Sequence, residues 1–177
     1  MIRIEPAELV DLNICCQMVL AYTTDYVWQM QATENERGVE VRFDVVRLPR
    51  TMRVEYPRHP DELIDHWHSE GCFLVARTPE DELVGFIDAV PYPAQSMLWI
   101  HNLGVLPAHR RCGIGLKLVR AAAQWAADHQ LQRLMMEMQT KNYPAVSFAQ
   151  KQGFRYCGYN EQYYQNGDIA LFFSRPV

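Results

Sequence analysis

Apolar residues recur at helical spacing in some parts of the chain and alternate with polar residues in others. Ile114, Leu118, Ala122, Trp125 and Ala126 form one stripe of a helix, whose face repeats every three or four residues. After a short opening strand, Ile2 to Glu5, and Pro6, the positions Leu9, Leu12, Cys16, Val19 and Leu20 predict an earlier helix. The aromatics of "YTTDYVWQM" predict a second short helix. "PDELIDHWHSEG" predicts another, starting at Pro60 and stopping at Gly71. "CFLVART", "ELVGFIDAV" and "MLWIHNLGV" read as strands, the first two joined by the turn "PEDE". "RLMMEM" is a later strand, "YPAVSFAQKQ" a helix, and "FRYCGYN" and "IALFFSR" a final strand pair. Val39 to Pro57 alternates apolar and polar residues around the break "LPR", as one long strand or a hairpin. Its arginines fit a solvated basic sheet edge better than an anion site.

The order is strands first and helix crossovers late, without repeat or linker, so one mixed α/β domain is expected over 1–177. The 49% hydrophobic and 21% charged residues are those of a globular chain. A net charge of −4 argues against a nucleic-acid binder and mildly favours a cationic partner. No apolar run approaches the roughly 18 residues that span a bilayer, and "MIRIEPAELV" lacks the layout of a signal peptide, so a cytoplasmic protein without membrane attachment is expected. Five cysteines without framework spacing read as free thiols in a reducing compartment. His66 and His68 read as surface residues, and no metal is expected. Nothing in the pattern excludes a homodimer.

One stretch packs cations, glycines and a helix start together: "VLPAHRRCGIGLKLV", Val105 to Val119. Pro107 ends a strand because it has no N–H for a ladder. Gly113 and Gly115 clear side chains from the helix entry. The first helical N–H groups lack intrahelical partners and carry partial positive charge, to which Arg110 and Arg111 add full charges. A pyrophosphate fits these features, and so does an ordinary basic turn. Neither a P-loop nor a complete dinucleotide fingerprint is present.

"LGVLPAHRRCGIG" resembles the signature of GCN5-related N-acetyltransferases, L-x-V-x-P-x-x-R-x-x-G-x-G, at Leu103, Val105, Pro107, Arg110, Gly113 and Gly115. The second block of that family is similar to "LMMEMQTKNYPAVSFAQKQGF", with Asn142, Ala145, Gly153 and Phe154 at the fixed offsets. The tail "GYNEQYYQNGDIALFFSR", with Glu137 and Gln139 upstream, resembles streptothricin acetyltransferases. The resemblance implies a central, mostly antiparallel sheet splayed at one strand and flanked by helices. It implies acetyl-CoA as co-substrate. The pantetheine arm would lie along Leu103, Gly104 and Val105, the diphosphate on Arg110, Arg111, Cys112, Gly113, Ile114 and Gly115. Asn142 would reach the acyl end, serve as a helix N-cap, or do both. A backbone N–H near Val105 would face the carbonyl oxygen.

Acetyl transfer to an amine needs the amine neutral, and freeing a lysine-like lone pair at pH 7 costs about 4.6 kcal/mol. Glu137, in the apolar flank "LMMEM", is the first candidate base, with a pKa raised by burial; the alternative is a solvent-facing glutamate. His101 is the second candidate, its imidazole being of suitable basicity, although a lone strand histidine is more often simply packed. The tyrosine acid that relatives carry seven residues after the asparagine is absent: Ala149 stands there. Tyr143, Tyr163 or Tyr164 would replace it, or water would, or the domain binds coenzyme A without turnover. Tyr22, Tyr26, Trp28, Tyr159, Tyr163 and Tyr164 are candidates for an acceptor cleft, Tyr26, Trp28 and Tyr164 foremost, with at least half of the set expected in the core. A small-molecule amine, antibiotic-like or metabolic, is the leading acceptor, ahead of a protein N-terminus or lysine.

Overall fold

In the computed structural model, residues 1–69 and 71–177 are described; Glu70, within the expected "PDELIDHWHSEG" helix, lies outside them. The strands are β1 (Arg3–Pro6), β2 (Tyr22–Asn35), β3 (Gly38–Val54), β4 (Cys72–Arg77), β5 (Leu83–Tyr92), β6 (Met97–Val105), β7 (Arg133–Gln139), β8 (Arg155–Asn160) and β9 (Ala170–Pro176). The helices are α1 (Leu9–Cys16), α2 (Asp61–Trp67), α3 (Ile114–Asp128) and α4 (Tyr143–Lys151). The seven-stranded sheet runs β1-β4-β5-β6-β7-β9-β8, and only the β6–β7 pair is parallel. This is the mixed, mostly antiparallel architecture expected. Among the described residues no helix is long and apolar enough to cross a membrane.

The helical stripe of α3 buries Ile114, Leu118, Val119, Ala122 and Ala126 against one sheet face, where Leu98, Ile100 and Leu134 meet them. On the other face Leu12 and Cys15 of α1 and Leu63 of α2 pack on Val75, Leu83 and Phe86. Replacing a fully buried leucine such as Leu118 by alanine costs about 2–5 kcal/mol in such a core.

The short helix expected at "YTTDYVWQM" is instead the first half of β2, paired in antiparallel register with β3 from Tyr22↔Val54 to Asn35↔Gly38. β-branched and aromatic residues at Tyr22, Thr23, Thr24, Tyr26, Val27 and Trp28 suit a strand, and the long arginine-rich strand supplies the missing partner. Val39 to Pro57 is thus mostly one continuous strand. The two-stranded arm rests on the main sheet through Trp28 against Phe173, ring centroids 6.1 Å apart, and Phe43 against Tyr159 at 5.4 Å. α1 stops at Cys16 and α2 at Trp67, earlier than their apolar patterns suggest.

Two irregularities shape the sheet's centre. The parallel pairing of β6 with β7 covers only Met97–Ile100 against Arg133–Met136, so the strands part beyond Ile100 and Met136. At the same point the β5–β6 register jumps from Ala89↔Ile100 to Asp88↔Asn102, leaving His101 as a bulge. A bulge inserts one residue and so swaps the faces of the residues that follow. Leu98 and Ile100 pack on the α3 side before it, Leu103 and Val105 after it. Asn102 and Gly104 turn to the α1–α2 side, where a Cβ on Gly104 would stand 2.7 Å from Phe86 and 2.8 Å from Leu20. Gly104 is therefore glycine because two side chains press on it.

Candidate functional site

Where β6 leaves β7, a cleft of about 420 Å³ runs from the open strand edge to the start of α3. Leu103, Gly104, Val105, Arg110, Arg111, Gly113, Ile114, Gly115 and Asn142 all line it. Cys112 does not; its thiol is exposed and points to the Arg110 carbonyl, 3.5 Å away. The turn is built on two left-handed residues, Arg111 (φ 65°) and Gly113 (φ 81°). That conformation is strained for arginine and easy for glycine. No side chain caps α3, so its first-turn amides are free to face the cleft.

The two arginines differ. Arg110 donates Nε–H to the Val105 carbonyl and an Nη1–H to the Ala21 carbonyl, each at 3.0 Å, clamping the end of β6 to the chain before β2. Burial lowers its pKa. Arg110 thus keeps its charge beside the turn while two of its five N–H groups hold backbone carbonyls. Arg111 is exposed and lines both this cleft and a neighbouring hollow with Tyr26, Tyr143 and Lys151. Asn142 caps α4, its Oδ1 accepting the Ala145 N–H at 3.1 Å, and faces the cleft as well.

A second cavity of about 80 Å³ fills the wedge between the parted strands, with Arg58, His101, Glu137 and Tyr164 in its wall. Glu137 is fully shielded and bound by Arg58 and by the Trp99 indole N–H, with His101 Nδ1 at 3.7 Å. Burial alone would raise its pKa, but the interaction with His101, the Arg58 charge and the Trp99 bond outweigh it and hold the carboxyl below its ordinary value. This overturns the expectation of a raised pKa there. A carboxylate so neutralised is a poor proton acceptor at neutral pH.

His101 stacks on Trp99 with ring centroids 5.3 Å apart and 8° between planes, and against His66 at 4.7 Å. Its Nε2 is buried without a partner. His66 is half-buried, not a surface residue: Asp88 Oδ2 lies 2.6 Å from its Nδ1, and that hydrogen bond, against some burial, raises its pKa.

The expected aromatic set divides. Tyr164 is buried in the wedge under the Arg58 guanidinium. Trp28 packs on Phe173, and Tyr26 stands out of the wedge on Tyr143, ring centroids 5.1 Å apart. These three do not form one acceptor wall. Ala149, at the position of the absent acid, is fully buried in the core, and Phe148 takes the cleft side.

Sequence reading missed Tyr56 and Arg58, which line the cavities, and the Asp88–Asn102 pair behind them; Tyr22, one of the expected aromatics, lines the cleft. "EYPRHP" follows β3 in an irregular, proline-containing segment with no periodicity to flag it.

Residues 43–154 match the family model described as Acetyltransferase (GNAT) family. The chain belongs to that family. A streptothricin acetyltransferase of Streptomyces lavendulae is 36% identical over 108 residues, covering 58% of this chain and 57% of the relative's own length. An N-alpha-acetyltransferase of Saccharolobus solfataricus is 29% identical over 84% of this chain and all of that one. The crystal structure of nourseothricin acetyltransferase superposes with a TM-score of 0.84 at 23% identity, covering 99% of this chain and 98% of that one. At that identity the likeness is one of GNAT fold, and it extends through the N-terminal half, arm included.

Proposed function

We propose that this GNAT protein transfers an acetyl group from acetyl-CoA to a primary amine of a small molecule, a streptothricin-like antibiotic being the leading acceptor. The observation that carries the reading is the cleft: a free strand edge leads directly to an uncapped helix start, with the family's motif residues along both. The residues present fit the co-substrate. Free amides at Gly113 to Gly115 and the exposed Arg111 suit a diphosphate, and the β6 edge beyond Ile100 suits an amide-bearing arm. Bound there, acetyl-CoA supplies an activated thioester. The small-molecule acceptor rests on the streptothricin acetyltransferase relative and on a polar hollow of about 460 Å³ between 52–59 and 165–168. Free thiols at all five cysteines suit a reducing compartment such as the cytoplasm.

Of the two candidate bases, His101 is favoured. Its ring is set by stacking, its Nδ1 faces Glu137, and its Nε2 has no protein partner inside the wedge. Glu137 becomes the group that orients His101 and balances Arg58. His101 takes the amine's proton, which speeds the reaction by the roughly 10²–10⁴-fold typical of general-base catalysis.

Thiol release from acetyl-CoA with streptothricin, alkyl amines and peptide N-termini tests the reading. Release with streptothricin or a small amine is expected. Release only with peptides would move the acceptor to protein N-termini, and binding without release would leave a coenzyme A sensor.

A further inference from the structure

Tyr56 is the one described residue that lines four cavities at once: the cleft along β6, the wedge, the polar hollow beside 165–168, and a hollow of about 240 Å³ under α1. The cleft and the wedge share five lining residues, Tyr56, Leu103, Asn142, Ala145 and Phe148. An acyl group delivered down the cleft and an amine entering from the hollow therefore meet beside this phenol.

The buried network behind Tyr56 decides which way its hydroxyl points. Asp88, almost wholly shielded, receives on Oδ2 both the His66 Nδ1 at 2.6 Å and the Asn102 Nδ2 at 2.7 Å. A carboxylate only accepts, so the amide's NH2 faces Asp88 and its Oδ1 faces outward to Tyr56. That amide oxygen also only accepts, and the Tyr56 hydroxyl donates to it at 2.8 Å. The phenolic hydrogen is committed to Asn102. What Tyr56 presents to the cavities is lone pairs. Burial holds the phenol protonated, above its ordinary range, with Arg58 drawing it back and Glu137 pushing it up.

We infer that Tyr56 Oη is the acceptor that receives an N–H of the attacking amine and aims its lone pair at the acyl carbon. This rests on the acetyl-transfer reading above. In the step, the N–C bond forms, and the C–S bond breaks with its electron pair staying on sulfur. The proton shed by nitrogen goes to His101, and by way of solvent a proton ends on the thiolate. As the N–C bond forms, the nitrogen becomes cationic, and an N–H donated to Tyr56 becomes a charge-assisted hydrogen bond. The contact is thus stronger in the transition state than in the ground state. Its oxygen is made more electron-rich by the chain through Asn102 to the Asp88 carboxylate.

The Tyr56→Phe variant keeps the ring and deletes the acceptor atom. With streptothricin and a panel of primary alkyl amines as probes, kcat/KM for the amine is expected to fall ten- to hundredfold. Calorimetry should find coenzyme A affinity within twofold of the parent, and amine affinity for the coenzyme A-loaded protein about tenfold weaker. Asp88→Asn, which frees the Asn102 amide to turn over, should lose part of the amine effect with Tyr56 intact. Unchanged turnover and amine binding in Tyr56→Phe would overturn the inference. So would a parallel loss of coenzyme A affinity, which would make Tyr56 only a wall of the cleft. If the parent protein binds coenzyme A but neither binds nor acetylates any amine, the functional reading fails and this inference with it. Amine binding without turnover still decides the role of Tyr56 through the calorimetric arm.

Discussion

The two halves of the site are built in opposite ways. The cofactor side is one continuous run, Leu103 to Gly115, in which strand edge, turn and helix start follow each other in the chain. The proposed acceptor side draws Tyr56, Arg58, His66, Asp88, His101, Asn102, Glu137 and Tyr164 from six stretches of sequence. The first depends on local backbone geometry: free amides, two left-handed residues and a proline. The second depends on buried electrostatics, because its polar groups satisfy one another across the sheet. Removing an exposed charge from the first should cost binding; removing a buried charge from the second should cost the fold.

The largest expected effect breaks the acceptor side. Arg58→Ala leaves the buried Glu137 carboxylate without its arginine, and should destabilise the protein by about 3–5 kcal/mol in denaturant melts. Arg58→Met with Glu137→Gln should recover most of that loss; no recovery would mean that Arg58 matters for packing rather than charge.

Asp88 offers a pH-dependent version. His66 has a raised pKa in the fold, so its protonated form adds stability that is fully present below the unfolded value of about 6.5 and fades as pH rises through the folded one. His66→Ala should therefore cost about 1.5–3 kcal/mol near pH 5.5 and less near pH 9, where a neutral imidazole donates to the same carboxylate. A cost that grows with pH would refute the pairing.

Ala149→Tyr sharpens the question of the absent acid. Because Ala149 is packed in the core, a phenol there overfills it, and a loss of about 1–3 kcal/mol with no gain in rate is expected. A faster chemical step in single-turnover measurements would show that the ring had reached the cleft after all.

The finest test separates neighbours on the cofactor side. Arg110→Ala releases two backbone carbonyls and should cost about 1–2 kcal/mol of stability. Arg111→Glu should leave the melting temperature within about 1–2 °C while weakening coenzyme A at least about tenfold, or about 1.4 kcal/mol. Equal effects on stability would erase the distinction between clamp and ligand.

What could be read without coordinates follows the same divide. The helix of α3, the strands from Cys72 onward and the turn at Arg110 to Gly115 announce themselves because their signals are short-range: a periodic stripe, a proline, paired glycines. Leu103, Val105, Gly113 and Asn142 line the cleft as their motif positions imply. The arm was half legible. β3 shows its alternation, but β2 is a strand only because β3 lies beside it, and its aromatics carry no helical or strand signal strong enough alone. His66 looked like a surface residue, since nothing near it in sequence foretells Asp88, 22 residues away. Glu137 was located correctly and its chemistry inverted, because an apolar flank announces burial but not the arginine that comes with it.

The sequence by itself determined the family, the cofactor turn and the order of the elements from Cys72 onward, since each is encoded by residues that interact with near neighbours in the chain. Only the tertiary structure decided that Glu137 is held by Arg58 while His101 Nε2 has no partner, where Tyr56 points and why Gly104 has no side chain. Those outcomes depend on contacts between distant segments: one bulge at His101 turns the end of β6 over, and a buried carboxylate then orients the Asn102 and Tyr56 hydrogen bonds.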